Sequence, residues 1–182
     1  MSGSIKFSWD PKDFDYLVES CRFDDAVKLS LKYLNDKSLK ILEAGCGSGR
    51  VVNYLYDLGF QNIYGIELNH DAVTHINRIF PELNIIQGDL LYMPYDDKFD
   101  VVLSYGVVEH FPDGLELPLL SIYDILKPGG VAIVTVPSFN TLRKFGDFLG
   151  RLLTFTNPKR NNYIRMIFNR ELLPKRNKEG FL

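Results

Sequence analysis

The sequence has few cysteines, and this excludes two kinds of stabilising site. Only Cys21 and Cys46 are present among 182 residues. Two cysteines cannot form the set of bridges that staples small secreted domains, and they cannot supply a zinc site made of thiolates alone. We therefore expect neither a disulfide framework nor a metal site built on thiolates.

Long hydrophobic runs are also missing. No segment approaches the 18 apolar residues that a membrane-spanning helix requires, and residues 1–6 lack the apolar stretch of a secretory signal. We therefore expect a soluble, cytoplasmic protein. Hydrophobic residues still make up 46% of the chain, enough for one buried core, and no break in composition predicts a second domain.

Charge is distributed unevenly along the chain. Residues 1–150 carry 13 Lys and Arg against 21 Asp and Glu, whereas residues 151–182 carry 8 against 2. A basic segment can attract an anionic partner. Its charges alternate with Leu, Ile and Phe, however, and this pattern is more typical of a solvated helical face. We expect no nucleic-acid partner.

The stretch I-L-E-A-G-C-G-S-G-R at positions 41–50 is the most informative in the chain. An apolar run ends there in Glu43 and three glycines, which predicts a buried strand, a tight loop and the start of a helix over 50–58. Glycine permits positive φ and a close approach of ligand to the backbone. The N–H groups of the first helical turn point to the same place, so we expect a nucleotide-like ligand over this loop.

The spacing separates three kinds of glycine loop. A phosphate-binding P-loop needs Lys and then Ser or Thr after its last glycine, but Arg50 and Val51 follow here. A dinucleotide-binding loop needs its third glycine at position 50, yet that glycine is Gly49. The remaining pattern, E-x-G-x-G-x-G after a first strand, resembles motif I of the class I S-adenosylmethionine-dependent methyltransferases. A glycine-rich turn without a ligand remains the alternative.

Acidic residues end the next two predicted strands. Glu67 closes a strand over 62–67, where a carboxylate can accept hydrogen bonds from two ribose hydroxyls in either nucleotide-binding fold. Asp89 follows a strand over 84–87, where it could accept a hydrogen bond from an adenine amine. The G-D-L at 88–90 resembles the adenine-binding motif of the methyltransferases, and a plain surface turn is the alternative.

Two further strands complete the resemblance. Residues 99–104 form a nearly continuous apolar run typical of a strand buried on both faces, and L-K-P-G-G precedes a similar run at 131–136. The segment 105–111 resembles the loop beside the methionine end of the cofactor.

The resemblance implies an α/β fold, a three-layer Rossmann-like sandwich with a mainly parallel sheet in the order 3-2-1-4-5. The ligand is expected at the carboxyl ends of the strands.

The resemblance also implies a function. We expect the chain to bind S-adenosylmethionine, rather than NAD, and to transfer a methyl group to a small-molecule acceptor, leaving S-adenosylhomocysteine. A nucleotide-binding module of this fold without catalysis is the alternative. The residues that match the cofactor-binding motifs are Glu43, Gly45, Cys46, Gly47, Glu67, Leu68, Gly88, Asp89, Leu90, Ser104 and Tyr105.

His110 is the candidate catalytic residue. Methyl transfer from a sulfonium leaves a neutral group, so proximity and orientation can supply most of the catalysis. A base is needed only if the nucleophile carries a proton, and His110 could serve, oriented by Glu109. The same E-H pair can also be purely structural. Some quinone-pathway relatives hold a metal with an additional acid three residues before this Glu, where Gly106 stands here, so we expect no metal.

The two ends are predicted to frame this core. Aromatic residues at 7–22, including Tyr16, either cover the ligand or dock a helical cap over 1–37. After the cofactor-binding core at 38–137, residues 138–182 are predicted to form a lid, with helical patterns at 142–153 and 168–173. The chain ends where a sixth strand should begin. We therefore expect the usual C-terminal strand pair to be missing, with the 131–136 edge covered by 138–182 or by a second copy of the chain.

Overall fold

A six-stranded sheet forms the centre of the computed structural model, which describes residues 11–95 and 98–137, and 163–169 through their backbone. The strand order is β3-β2-β1-β4-β5-β6. The first five strands are parallel, which confirms the predicted order 3-2-1-4-5. The strands are β1 Ile41–Ala44, β2 Ile63–Glu67, β3 Asn84–Gln87, β4 Phe99–Tyr105, β5 Leu126–Pro137 and β6 Tyr163–Asn169.

Helices follow the strands in the alternation expected from the sequence. The helix after the glycine loop begins at Arg50 and gives way to Leu58 and Gly59, whose φ of 94° ends it as predicted. None of the described helices is long and apolar enough to cross a bilayer. The helices are α1 Pro11–Ser20, α2 Asp25–Leu31, α3 Arg50–Asp57, α4 His70–Ile79 and α5 Glu116–Ile125, with 3-10 turns at Leu90–Tyr92 and Val108–His110.

The core lies on both faces of the sheet. All four residues of β1 are buried, and alternate positions belong to different apolar clusters. Ile41 packs in the cluster that includes residues of α2, α3 and α4, whereas Leu42 packs in the cluster that includes residues of α5. Burial on both faces explains why the strand sequences are continuously apolar and were recognisable without an alternating pattern.

The edge of β5 is covered by β6, which pairs with it antiparallel in a register that runs from Val131 opposite Asn169 to Pro137 opposite Tyr163. The prediction that residues 138–182 shield this edge is therefore confirmed, and the sheet has one strand more than the five expected. The helix predicted over 168–173 is wrong at Phe168 and Asn169. The helical pattern at 142–153 lies outside the described residues.

The physical reason for this error is the unpaired edge itself. Residues 163–169, Y-I-R-M-I-F-N, contain β-branched and aromatic side chains that suit a strand as well as a helix. A free row of N–H and C=O groups on β5 favours the extended form, since each pairing satisfies polar groups that would otherwise be open. Because β6 of the same chain pairs with β5, a second copy of the chain is not required to cover the β5 edge.

Candidate ligand-binding site

The glycine loop between β1 and α3 depends on left-handed backbone at Gly45, Gly47 and Gly49, with φ of 79°, 55° and 74°. The N–H groups of Gly45 and Cys46 both donate to the Ile66 carbonyl, at 2.9 and 3.0 Å. These bonds hold the loop against the carboxyl end of β2. The loop is therefore fixed at the point where β1 lies between β2 and β4, the edge where open α/β sheets bind ligands.

Glu67 is held beside this loop. Its Oε2 accepts a hydrogen bond of 2.8 Å from the Gly47 N–H, and its Oε1 accepts one of 2.9 Å from the Asn69 N–H. Each carboxylate oxygen can accept a second bond. The structure thus places Glu67, the predicted acceptor of hydrogen bonds from the ribose, next to Gly47. Backbone N–H groups of Gly47 and Asn69 orient its carboxylate.

Gly88, Asp89 and Leu90 follow β3 as predicted. A Cβ on Gly88 would lie 2.7 Å from Ile66 Cδ1, so this position packs closely on β2. Asp89 caps the 3-10 turn by accepting a bond of 2.8 Å from the Leu91 N–H. Leu90 is buried, whereas Leu68 is 66% exposed. Capping alone explains an acid at position 89, so its contact with adenine remains a prediction.

Glu43 is the most unusual ionisable group at this edge. It is 4% exposed, and its Oε2 has no hydrogen-bond partner in the described part of the chain. Burial raises the pKa of its carboxyl to about 8, against the opposing effect of the Arg50 charge. A carboxyl with this pKa is mostly protonated at neutral pH, and a cationic ligand group would favour its ionised form.

Arg50 does not neutralise Glu43 because it is engaged elsewhere. Its Nη2 lies 2.9 Å from Asp24 Oδ2, and its Nη1 donates to the Cys21 sulfur at 3.2 Å. These contacts join α3 to the segment between α1 and α2. No local sequence signal predicts this group, since Asp24 and Cys21 lie 26 and 29 positions from Arg50 and no short motif links them.

Cys46 is a packing residue within the loop. It is 5% exposed, and a Cβ on Gly65 would lie 2.9 Å from its sulfur. Burial raises the pKa of its thiol well above the usual value. A protonated, enclosed thiol is a poor nucleophile, so Cys46 fills the space between β1 and β2.

The end of β4 presents two side chains on opposite faces. Ser104 is fully buried, and its Oγ has no hydrogen-bond partner among the residues described. The Tyr105 hydroxyl lies 2.5 Å from Ser30 Oγ in α2. Burial raises the pKa of the Tyr105 phenol. Tyr105 therefore contacts the N-terminal helices, and its contact with the cofactor remains a prediction.

The N-terminal helices are docked by Phe14 rather than by Tyr16. The rings of Phe14 and Phe80 are 4.8 Å apart at an angle of 31°, which joins α1 to the end of α4. Tyr16 is 74% exposed. The docking role proposed for the leader aromatics thus falls to Phe14, and the covering of a ligand by Tyr16 remains a prediction.

The loop after β4 directs the side chains of His110, the candidate catalytic residue, and of Glu109 into different surroundings. Val107 packs against the glycine loop, since a Cβ on Gly45 would lie 2.5 Å from its Cγ2. His110 is exposed at the end of the 3-10 turn. Glu109 Oε2 is buried and has no hydrogen-bond partner in the described residues, so the predicted orientation of His110 by Glu109 is not seen. The sequence cannot distinguish the directions of two adjacent side chains.

Known proteins resemble this chain both in sequence and in fold. Residues 42–134, about half of the chain, match a family described as a methyltransferase domain. The chain is 31% identical over 99 residues to a probable S-adenosylmethionine-dependent methyltransferase of Mycolicibacterium smegmatis, a match that covers 54% of this chain and 38% of that protein. It is 26% identical to the ubiquinone biosynthesis O-methyltransferase of Rickettsia canadensis, covering 77% of this chain and 61% of that protein.

Solved structures show the same fold. The SAM-bound amino pentose methyltransferase CalS10 from Micromonospora echinaspora superposes with a TM-score of 0.60 at 18% identity, covering 76% of this chain and 60% of that chain. Identity at this level supports the fold alone. The chain spans less than two thirds of the length of all three of these proteins.

Proposed function

Because the chain belongs to the methyltransferase domain family, we propose that it binds S-adenosylmethionine and transfers its methyl group to a small-molecule acceptor. The observation that carries this proposal is the Glu67 carboxylate, held at 2.8 Å from the Gly47 N–H at the carboxyl edge of the sheet. An acceptor for two ribose hydroxyls is thereby fixed beside a loop whose glycines admit a ligand close to the backbone.

The order of the strands supports one direction for the cofactor. Acids stand at the ends of β3, β2 and β1 in spatial order, namely Asp89, Glu67 and Glu43. Adjacent strands are about 4.8 Å apart. Adenine at Asp89 and ribose at Glu67 would therefore place the amino-acid end at β1 and β4. The unpaired Oε2 of Glu43 suits the ammonium group at that end.

The bound cofactor would supply an electrophilic methyl group on a sulfonium, and the protein would hold the cofactor and the acceptor in a fixed relative orientation. The Glu67 and Glu43 carboxyl groups would hold the two ends of the ribosyl-amino-acid part, so the methyl group is directed toward the loop after β4. Fixing an acceptor in line with that group converts a bimolecular encounter into an intramolecular one, which is the main catalytic effect available here.

The acceptor is proposed to be small, and residues of the segment 138–182 other than β6 are proposed to form a lid over its site. A similar protein is an O-methyltransferase of ubiquinone biosynthesis, whose name indicates a small acceptor. We place the cap at 1–37 and the cofactor-binding core at 38–137, with the protein acting in the cytoplasm.

Parallel calorimetric titrations with S-adenosylmethionine, S-adenosylhomocysteine and NAD test the proposal without knowledge of the acceptor. We expect both sulfur compounds to bind and NAD to give no heat. Binding of NAD without a response to either sulfur compound would overturn the proposal. Binding of the cofactor with no methyl transfer to any tested small molecule would favour the non-catalytic module.

A further inference from the structure

The carboxyl group of Glu109 has an oxygen that receives no hydrogen bond from the described part of the chain. Its Oε2 is buried and has no hydrogen-bond partner among the residues the structure describes. A buried acceptor that finds no donor loses its hydration without compensation, and such groups in native structures call for an explanation such as a bound ligand. The rest of the side chain is only partly buried, and the last torsion of Glu is soft, so the two oxygens can exchange places at low cost.

Local packing places this carboxyl group at the end of β4. Gly106 is the first residue after β4, its φ is 69°, and its N–H donates to the Thr135 carbonyl of β5 at 2.9 Å. A Cβ on Gly106 would lie 3.4 Å from Glu109 Oε1. The carboxyl group therefore lies beside the backbone of Gly106, next to the end of β4.

The same loop contacts the glycine loop. Val107 lies against Gly45, as the 2.5 Å separation of its Cγ2 from a Cβ at that position shows. If the cofactor runs from β3 toward β4 as proposed above, its sulfonium lies beyond the ribose, between β1 and the loop that carries Glu109. An acceptor must approach that sulfonium from the far side, next to the residues that follow β4.

We propose that Glu109 accepts a hydrogen bond from an amine that is the methylated group of the acceptor. This inference rests on the proposed function and specifies its substrate class. A carboxylate accepts hydrogen bonds from N–H donors, and such a bond is about twice as strong as one between two neutral groups. The amine attacks in its neutral form, because the nitrogen needs its lone pair to form the new bond. When the amine nitrogen forms its bond to the methyl carbon, the bond from carbon to sulfur breaks and the sulfur becomes neutral. The product nitrogen then carries one excess proton, which the Glu109 carboxylate can take.

A pair of cofactor analogues tests this contact without the acceptor. Sinefungin has a carbon bearing a primary amine where S-adenosylmethionine has its sulfur and methyl group, and S-adenosylhomocysteine has neither amine nor methyl there. We expect wild-type protein to bind sinefungin about tenfold more tightly than S-adenosylhomocysteine, a ratio on the scale of one charge-assisted hydrogen bond. In Glu109→Gln the ratio should fall to about one, with the dissociation constant of S-adenosylhomocysteine unchanged.

The matched control is Asp113→Asn, which removes the same charge from an exposed position of the same loop and should keep the tenfold ratio. A ratio near one in wild-type protein, or a ratio that survives Glu109→Gln, would overturn the inference. Loss of the ratio in His110→Gln alone would assign the contact to His110 and overturn it as well.

The two proposals fail in different ways. If S-adenosylhomocysteine does not bind wild-type protein, the proposed cofactor is wrong and this inference falls with it. If S-adenosylhomocysteine binds but Glu109→Gln does not change the affinity for sinefungin, only the proposed contact between Glu109 and the amine is wrong. Binding of S-adenosylhomocysteine by Glu109→Gln also shows that the variant is folded, so a loss of sinefungin affinity cannot be mistaken for unfolding.

Discussion

The hydroxyl of Tyr105, at the end of β4, lies 2.5 Å from Ser30 Oγ in α2. Ser30 Oγ also lies 2.9 Å from the Ala26 carbonyl, which can only accept. Since a serine has one hydroxyl proton, Tyr105 is the donor in this pair. One partly buried hydrogen bond therefore joins the N-terminal helices to the strand whose end faces the proposed methyl-transfer site.

We expect Ser30→Ala to destabilise the fold more than Tyr105→Phe. Ser30→Ala leaves the partly buried Tyr105 hydroxyl without its acceptor, which costs about 1–3 kcal/mol, whereas Tyr105→Phe removes the donor and costs about 1 kcal/mol. Urea denaturation of both variants and of the double variant measures the difference. The double variant should lose less than the sum of the single losses. Additive losses would show that the two hydroxyls do not depend on each other.

Gly45→Ala should destabilise the fold more than Gly59→Ala, although both glycines have positive φ. Both substitutions carry the left-handed backbone cost of about 1 kcal/mol. At Gly45 the new Cβ would also lie 2.5 Å from Val107 Cγ2, whereas at Gly59 it meets nothing within 4 Å. Overpacking of this kind typically adds about 1–3 kcal/mol.

Thermal or urea unfolding of the two glycine variants provides the comparison. Adding Val107→Ala to Gly45→Ala should recover part of the loss, because it removes both methyl groups that the new Cβ meets, at 2.5 and 2.7 Å. Equal losses of unfolding free energy in Gly45→Ala and Gly59→Ala would mean that the Val107 side chain moves away from the new Cβ without cost.

Replacing Glu67 with Ala should weaken binding of S-adenosylhomocysteine by about 1.5–3 kcal/mol, the scale of hydrogen bonds to a charged group. The substitution also releases the Gly47 N–H, which Glu67 holds at 2.8 Å, so the glycine loop loses part of its support. Isothermal titration calorimetry measures the change. Glu82→Ala, at an exposed acid before β3, is the control and should bind normally. An unchanged affinity in Glu67→Ala would show that the ribose is bound elsewhere.

The stability of the ligand-free protein should fall as pH rises from about 5 to 8 because of Glu43. The pKa of this carboxyl rises from 4.5 to about 8 in the fold, chiefly through burial. Between those values the folded protein holds a proton that the unfolded chain has released. The stabilisation is therefore complete below the lower value and is lost as pH passes through the upper one.

Urea denaturation of wild-type protein and Glu43→Gln at several pH values isolates this effect. The amide does not titrate, so the free energy of unfolding of the variant should change less between pH 5 and 8. Parallel curves for the two proteins would show that Glu43 is already ionised in the fold. Asp24, Arg50 and Glu67 lie near Glu43 and remain unchanged in both proteins, so their contributions cancel in the comparison.

Local sequence signals were sufficient for the five parallel strands and for much of the ligand edge. Apolar runs buried on both faces are contiguous, so the ends of β1 through β4 could be read within a residue or two. The strand order then follows from the resemblance and the rules for crossover connections. Glu67 and Gly47 come together because each stands at the end of a strand in a parallel sheet, and such ends meet at one edge.

Only the tertiary structure decided the features that depend on contacts between distant residues or on the directions of adjacent side chains. The segment at 163–169 suits helix or strand, and only the free edge of β5 selects the antiparallel strand. The engagement of Arg50 by Asp24 and Cys21 joins residues far apart in the chain, and Arg50 gives no hydrogen bond to the buried Oε2 of Glu43, which has no partner among the described residues. Glu109 and His110 are neighbours in sequence, yet one carboxyl oxygen is buried and the imidazole is exposed. The direction of a side chain follows from its packing, which local sequence does not encode.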